Sequence, residues 1–124
     1  MKQVLLDTSF ILSAVGNRID FMEELRFMGF VIIIPKQVVE EIEKIVKSKK
    51  TLKLRKDAEL ALKFISSYSY KKVDIGEGHV DERIAEYLKK NKEILIATLD
   101  NGLANKLKNQ RVIIRNKKQF EVVS

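Results

Sequence analysis

The chain has no cysteine, a single histidine and a single proline among its 124 residues, and no apolar stretch that approaches membrane-spanning length. Without cysteine there are no disulfides, no thiolate zinc sites and no cysteine nucleophile, a composition that suits a reducing cytoplasm. The apolar residues ahead of Asp7 are too few for a signal-peptide core. A water-soluble, cytoplasmic protein is therefore expected. No low-complexity linker or internal repeat interrupts the sequence, and 45% hydrophobic content supplies a core, so one domain over residues 1–124 is expected.

Lys and Arg number 24 against 17 Asp and Glu, a formal charge of +7. Such an excess biases a protein toward polyanions such as RNA, DNA or an acidic partner. A Lys- and Glu-rich surface equally suits the ion-pair networks favoured at high temperature, so charge alone names no substrate.

Apolar runs and helical periodicities alternate along the chain. Strands are expected at 3–7, 30–34, around Val73 and Ile75, at 94–99 and at 112–115, with a last extended piece at 119–123. Helices are expected at 9–15, 20–28, 36–48, 52–67, 80–90 and 101–109, the third opening after Pro35, where proline is tolerated. Gly76-Glu77-Gly78 reads as a loop. Strands alternating with helices imply an α/β fold, a mostly parallel central sheet flanked by helices in three layers.

Two of the apolar strands, Val4-Leu5-Leu6-Asp7 and Ile94 to Asp100, end in an aspartate. Chemistry in open α/β sheets is placed at the carboxyl ends of strands, and two anionic groups brought there repel unless a cation or proton intervenes. Two further acids stand on apolar faces. Glu41 lies between Val38, Ile42 and Ile45, whereas its neighbours Glu40 and Glu43 are expected to form exposed i,i+4 pairs with Lys44 and Lys47. Asp81 precedes Ile84, Ala85 and Leu88 on their stripe, and is expected to face inward in the first turn of its helix. Asp7 and Asp100 could each serve as helix caps, and Asp81 could favour its helix through the macrodipole. Glu41 has no such duty, and a lone buried carboxylate carries a desolvation cost.

Carboxylate oxygens are hard ligands suited to Mg²⁺ or Mn²⁺, one ion or two, which lower the pKa of a bound water and neutralise charge on a phosphodiester during in-line displacement. Asp7, Glu41, Asp81 and Asp100 are the candidate catalytic and metal-binding residues. Thr8 and Ser9 are candidates for orienting a metal-bound water, with helix capping as the plainer role of Ser9.

The segments Leu5-Leu6-Asp7-Thr8-Ser9, Pro35 with Val38-Val39-Glu40-Glu41-Ile42-Glu43-Lys44, Val80-Asp81-Glu82-Arg83-Ile84 and Ala97-Thr98-Leu99-Asp100 resemble, in order and over nearly the whole chain, the motifs of the PIN-domain nucleases. Through Glu41-Ile42-Glu43-Lys44 and Ile96 to Asp100 the chain is most similar to the archaeal branch akin to the ribosomal-RNA-processing endonucleases of the small-subunit processome. VapC-type toxins of toxin–antitoxin pairs are near relatives with the same acids. The resemblance implies a Rossmann-like sheet and a Mg²⁺- or Mn²⁺-dependent endoribonuclease, with Asp7, Glu41, Asp81 and Asp100 at the family's acidic positions. RNA, ribosome-assembly factors or an antitoxin protein are the partners it implies, together with a homodimer. Relatives often carry another acid two residues after the last aspartate, where this chain has Gly102; Glu77 and Asp74 are candidates to supplement the site.

Lys44, Lys47, Lys49, Lys50, Lys53, Arg55 and Lys56 form a basic lip at a helix junction, and Lys106, Lys108, Arg111, Arg115, Lys117 and Lys118 a second group, both candidates to track an RNA backbone. Tyr68, Tyr70 and Phe120 are candidate stacking residues, although burial against a sheet is their commoner fate. His79, in the loop before Asp81, could reach a phosphate; solvation or capping is its plainer role. A phosphatase of the haloacid-dehalogenase type would need an acid at Ser9, and a receiver domain an aspartate after Ile34, where Pro35 stands. The remaining non-enzymatic alternative is a PIN-like module that binds RNA or protein after losing efficient catalysis.

Overall fold

The computed structural model describes residues 1–124. Six strands and six helices follow in the order β1 (Gln3–Leu6), α1 (Thr8–Gly16), α2 (Phe21–Phe27), β2 (Val31–Pro35), α3 (Lys36–Val46), α4 (Leu52–Ser67), β3 (Lys71–Val73), α5 (Val80–Lys89), β4 (Leu95–Ala97), α6 (Asn101–Asn105), β5 (Arg111–Arg115) and β6 (Gln119–Val123). The sheet order is β3-β2-β1-β4-β5-β6, parallel throughout except for β6, which forms an antiparallel hairpin with β5.

The central strands are apolar because both their faces are covered. Val4, Leu5, Leu6, Ile32, Ile33, Ile34, Leu95, Ile96 and Ala97 are all buried. Helices α1 to α4 pack on one another beside β1 and β2. The crossover from β3 back to β4 reverses direction along the sheet, and its right-handedness carries α5 to the opposite face. No helix is long and apolar enough to cross a membrane.

The strand order reverses between β1 and β4, which pair in register from Val4 with Leu95 to Leu6 with Ala97. This is the topological switch point, where the loops after adjacent strands diverge and leave a crevice. The Asp7 amide donates to the Ala97 carbonyl at 3.1 Å, closing the ladder where both loops begin.

Several element boundaries depart from the sequence expectation. The first helix starts at Thr8 with Asp7 as its cap, and the edge strand is Lys71–Val73, with Ile75 in the loop that follows. Strand β4 stops at Ala97, because Thr98 turns inward to bond Asp7. The expected helix over 101–109 ends at Asn105. Buried Asn109 explains this: its side-chain amide donates to the carbonyls of Leu88, Asn91 and Ile94, an arrangement a continued helix would not allow.

Candidate active site

Asp7 is 3% exposed at the end of β1, and its carboxylate is fully engaged. Oδ1 accepts from the Phe10 amide at 3.0 Å, which makes Asp7 the cap of α1, and from the Ser9 hydroxyl at 2.8 Å. Oδ2 accepts from the Thr98 hydroxyl. Thr98, fully buried, accepts in turn from the Asp100 amide at 3.0 Å. Ser9 likewise bridges the loops by accepting from the Leu99 amide at 3.3 Å. Arg111 holds the far side of the same loop, donating to the Thr98 carbonyl and the Asn101 side chain, each at 2.9 Å.

Asp100 caps α6 through the Leu103 amide at 3.1 Å. Capping and membership of an acidic cluster are thus compatible, since the helices begin at the rim where the strands end. A Cβ at Gly102 would lie 3.1 Å from Asp100 Oδ1, so a side chain there would crowd the carboxylate in its present position.

Glu41 is half-buried on α3 and accepts from the Thr8 hydroxyl at 2.6 Å. The residue is therefore not a lone interior acid as its position on the apolar stripe suggested, but one tied to the loop after β1. Asp81 also departs from expectation: it occupies the first turn of α5 with its side chain reaching solvent rather than turned inward. There it comes within hydrogen-bonding reach of the Asp100 carboxyl.

The electrostatics tie the four acids together. Partial desolvation raises the Asp81 pKa, and the negative charge and hydrogen bonding of Asp100 raise it further, followed by the charges of Asp7 and Glu41. Burial raises that of Asp7, with Asp100 adding to the effect while the bonds from Thr98, Phe10 and Ser9 oppose it. Raised pKa values at Asp81 and Asp7 are what neighbouring negative charge and burial produce, and a proton or a cation relieves such crowding. The donor set is all oxygen, as a hard divalent ion requires. As the side chains stand, no three acids are drawn in closely enough to coordinate an ion; Glu41 is turned to Thr8 and Asp7 to Thr98.

Beside Glu41 opens a cleft of about 460 Å³ whose lining includes Lys36, Gln37, Lys44, Asp74 and Glu77. Glu77 thus shares a wall with Glu41. Asp74 is occupied otherwise, because the Gly76 amide, Gln37 and then Lys36 hold its carboxyl below the usual range and tie the loop to α3. His79 is the exposed cap residue of α5 and makes no side-chain capping bond.

The basic residues are distributed more widely than the sequence suggested. Lys47, Lys49 and Lys50 are exposed between α3 and α4, whereas Lys53 pairs with Asp57 at 2.9 Å and the Arg55 guanidinium donates to the Lys50 carbonyl. The C-terminal basic residues do not form one group. Arg111 braces the Thr98 loop, Arg115 pairs with Glu121, Lys118 lines a hollow with Asp20 and Glu23, and Lys106 lies with Lys108 in a separate hollow. Phe120 is buried against Phe10, and Tyr68 hydrogen-bonds Asp20 beneath the Arg26 guanidinium. Both are thereby engaged in packing rather than offered for stacking.

Sequence reasoning assigned no role to Thr98, Gln37 or Lys36. A hydroxyl residue at the end of a buried apolar strand, two positions before an acid, was the available signal for Thr98. Nothing local marked the other two.

A family model described as "PIN like domain" matches residues 4–119. The chain belongs to the PIN-like domain family. It is 30% identical over 128 aligned residues to Ribonuclease VapC4 of Methanocaldococcus jannaschii, covering 98% of this chain and 97% of that protein. The fold is similar to that of the PIN domain endonuclease Utp24, with TM-score 0.77, 21% identity, and 97% of this chain and 90% of that one covered. It is also similar to a domain of a functionally unknown M. jannaschii protein, with TM-score 0.56, 22% identity, and 85% and 83% covered. The PIN-like sheet of this chain is thus the mixed, mostly parallel kind, with its switch point under the acidic residues.

Proposed function

We propose that this PIN-like domain, acting as one unit over residues 1–124, is a divalent-metal-dependent endoribonuclease that hydrolyses RNA phosphodiester bonds in RNA processing. The observation that carries the reading is that four separate segments bring Asp7, Glu41, Asp81 and Asp100 to the switch point, with Thr8 bonding Glu41, Thr98 joining Asp7 to the Asp100 loop, and the charges of Asp100, Asp7 and Glu41 all acting on Asp81. The relative named as a ribonuclease supports RNA as the substrate.

In this reading Asp7, Glu41, Asp81 and Asp100 would hold Mg²⁺ or Mn²⁺, which supplies a water of lowered pKa and neutralises phosphate charge. The chain's own contribution is positional. Thr98 and Ser9 fix Asp7 and lock the Asp100 loop to it, Thr8 holds Glu41 until an ion competes for it, and Glu77 stands in reserve in the cleft it lines with Glu41. Lys36 and Lys44 line the cleft beside Glu41 and offset its charge toward an approaching phosphate backbone. Lys47, Lys49 and Lys50 extend that positive surface past the end of α3.

The test is to incubate purified wild-type protein and Asp7→Asn with total RNA across a panel of divalent ions and map the cut ends. Cleavage by the wild type in Mg²⁺ or Mn²⁺, absent in Asp7→Asn and stopped by EDTA, is expected; EDTA-resistant cleavage would overturn the mechanism. A second setting is favoured by the VapC-named relative: a toxin ribonuclease whose partner is an antitoxin protein. Growth arrest on expression, relieved by the product of an adjacent gene, would select it over a processing factor.

A further inference from the structure

At the opposite rim of the sheet, where α5 and α6 end, Lys89, Lys92, Lys106 and Lys108 surround a hollow of about 300 Å³ floored by Asn109. No acidic side chain lines it, and none of the four lysines takes part in a salt bridge. Cations at helix C-termini commonly serve the carbonyls there. At the end of α5, amides do part of that work: Asn91 donates to the Tyr87 carbonyl at 2.8 Å, and Asn109 to those of Leu88, Asn91 and Ile94 at 3.4, 3.1 and 2.7 Å. Only Lys89 lies in the last turn of a helix; Lys92, Lys106 and Lys108 follow helix ends. Four lysine side chains therefore line one concave surface with no acid among them and no salt bridge to any of them. Convergent like charges cost repulsion, which a polyanion relieves by releasing its own counterions.

We propose that this lysine-lined hollow is a second RNA-backbone site, which grips phosphates of the same RNA strand whose scissile bond lies at the acidic rim. The proposal rests on the nuclease reading for the identity of the polyanion. Helix α5 spans the two rims, with Asp81 in its first turn and Lys89 in its last. At 1.5 Å per residue they stand about 12 Å apart along the axis, the length of about four stacked nucleotides at 3.4 Å each. An RNA of about four nucleotides can occupy the cleft alone, whereas one of about sixteen can wrap past α5 and fill the hollow. Affinity is accordingly length-dependent, and the hollow supplies the length dependence.

The experiment compares wild type with Lys89→Gln/Lys92→Gln/Lys106→Gln/Lys108→Gln and with the matching four-arginine variant. Binding of labelled RNAs of about 4 and 16 nucleotides is followed by fluorescence anisotropy in calcium, with RNA integrity checked on gels and folding by circular dichroism. Wild type is expected to gain at least about tenfold in affinity on lengthening, and the glutamine variant under about threefold. Its log K against log salt slope for the longer RNA should be shallower by about two, at about 0.7 for each of three lost single-strand phosphate contacts. Arginine should restore both. An unchanged length gain and slope in the glutamine variant, or failure of arginine to restore them, overturns the proposal. So does a loss of polyglutamate binding with RNA binding unmoved, which would assign the hollow to an acidic protein partner. If RNA is still cut by wild type and not by Asp7→Asn while the length gain is unchanged, the hollow fails and the nuclease stands; if no RNA binds at either length, the hollow fails whatever the chemistry at the acidic rim.

Discussion

At the residue scale, the site depends on what each carboxylate is bonded to. Asp7→Asn or Asp100→Asn should lower metal-dependent cleavage by at least about 100-fold, about 2.7 kcal/mol in barrier, while circular dichroism stays unchanged. Thr98→Val should cost more than one hydrogen bond. It leaves a buried Asp7 oxygen and the Asp100 amide without their partner, so unfolding should lose about 1–3 kcal/mol. Partners of this kind typically tune metal affinity 10- to 100-fold, and Thr98→Ser should recover both stability and metal binding in a titration followed by calorimetry. The Asp81 shift fixes a sign for pH. Its folded pKa is raised above the ordinary 3.8, so the folded state holds more protons than the unfolded one between those values, and stability is lost as pH rises through the folded pKa. In EDTA, Asp81→Asn should therefore melt at higher temperature than wild type at neutral pH, with the gap closing as pH falls below 3.8. Excess Mg²⁺ should narrow the gap from the other side. Thermal melts across pH check both, and a gap independent of pH would contradict the shared charge.

At the scale of elements, short pieces of structure set the site's dimensions. β4 ends at Ala97 and α6 at Asn105, and both stops trace to buried polar side chains, Thr98 and Asn109. Asn109→Leu removes the donor for three carbonyls while keeping similar bulk. A loss of about 1–3 kcal/mol is expected, or about 4–8 °C in Tm for each kcal/mol, measured by thermal denaturation. Asp7 and Asp100 show why a capping role and a candidate ligand role coincide. Both stand between a strand and the helix that follows it, and each bonds the amide three residues on with one oxygen, a cap worth about 1 kcal/mol. Alternation of apolar strands with amphipathic helices made the type and order of nearly every element legible in the sequence. The ends were not legible, because they are decided by bonds between residues as far apart as Asp7 and Thr98.

At the scale of the whole molecule, the four acids and the lysine-lined hollow stand on opposite rims of one sheet, the rims that helices leaving and approaching the strands define. The net charge of +7 therefore conceals a polarity. Ion binding to the folded state alone should raise stability by about 2.7 kcal/mol at 100 times Kd, so Mn²⁺ or Mg²⁺ should raise the Tm of wild type and not of Asp7→Asn. A melting temperature indifferent to either ion would separate the acidic cluster from metal binding.

The sequence by itself determined the α/β alternation, the family resemblance and which four acids stand out, because hydrophobic periodicity and strand-terminal carboxylates are local features of the chain. Tertiary structure alone decided that Thr8 reaches Glu41, that Thr98 joins Asp7 to the Asp100 loop, and that Lys89 and Lys92 share a hollow with Lys106 and Lys108. Each of these joins residues of different elements, and only the packing of those elements around the sheet brings their backbones close enough for side chains to meet.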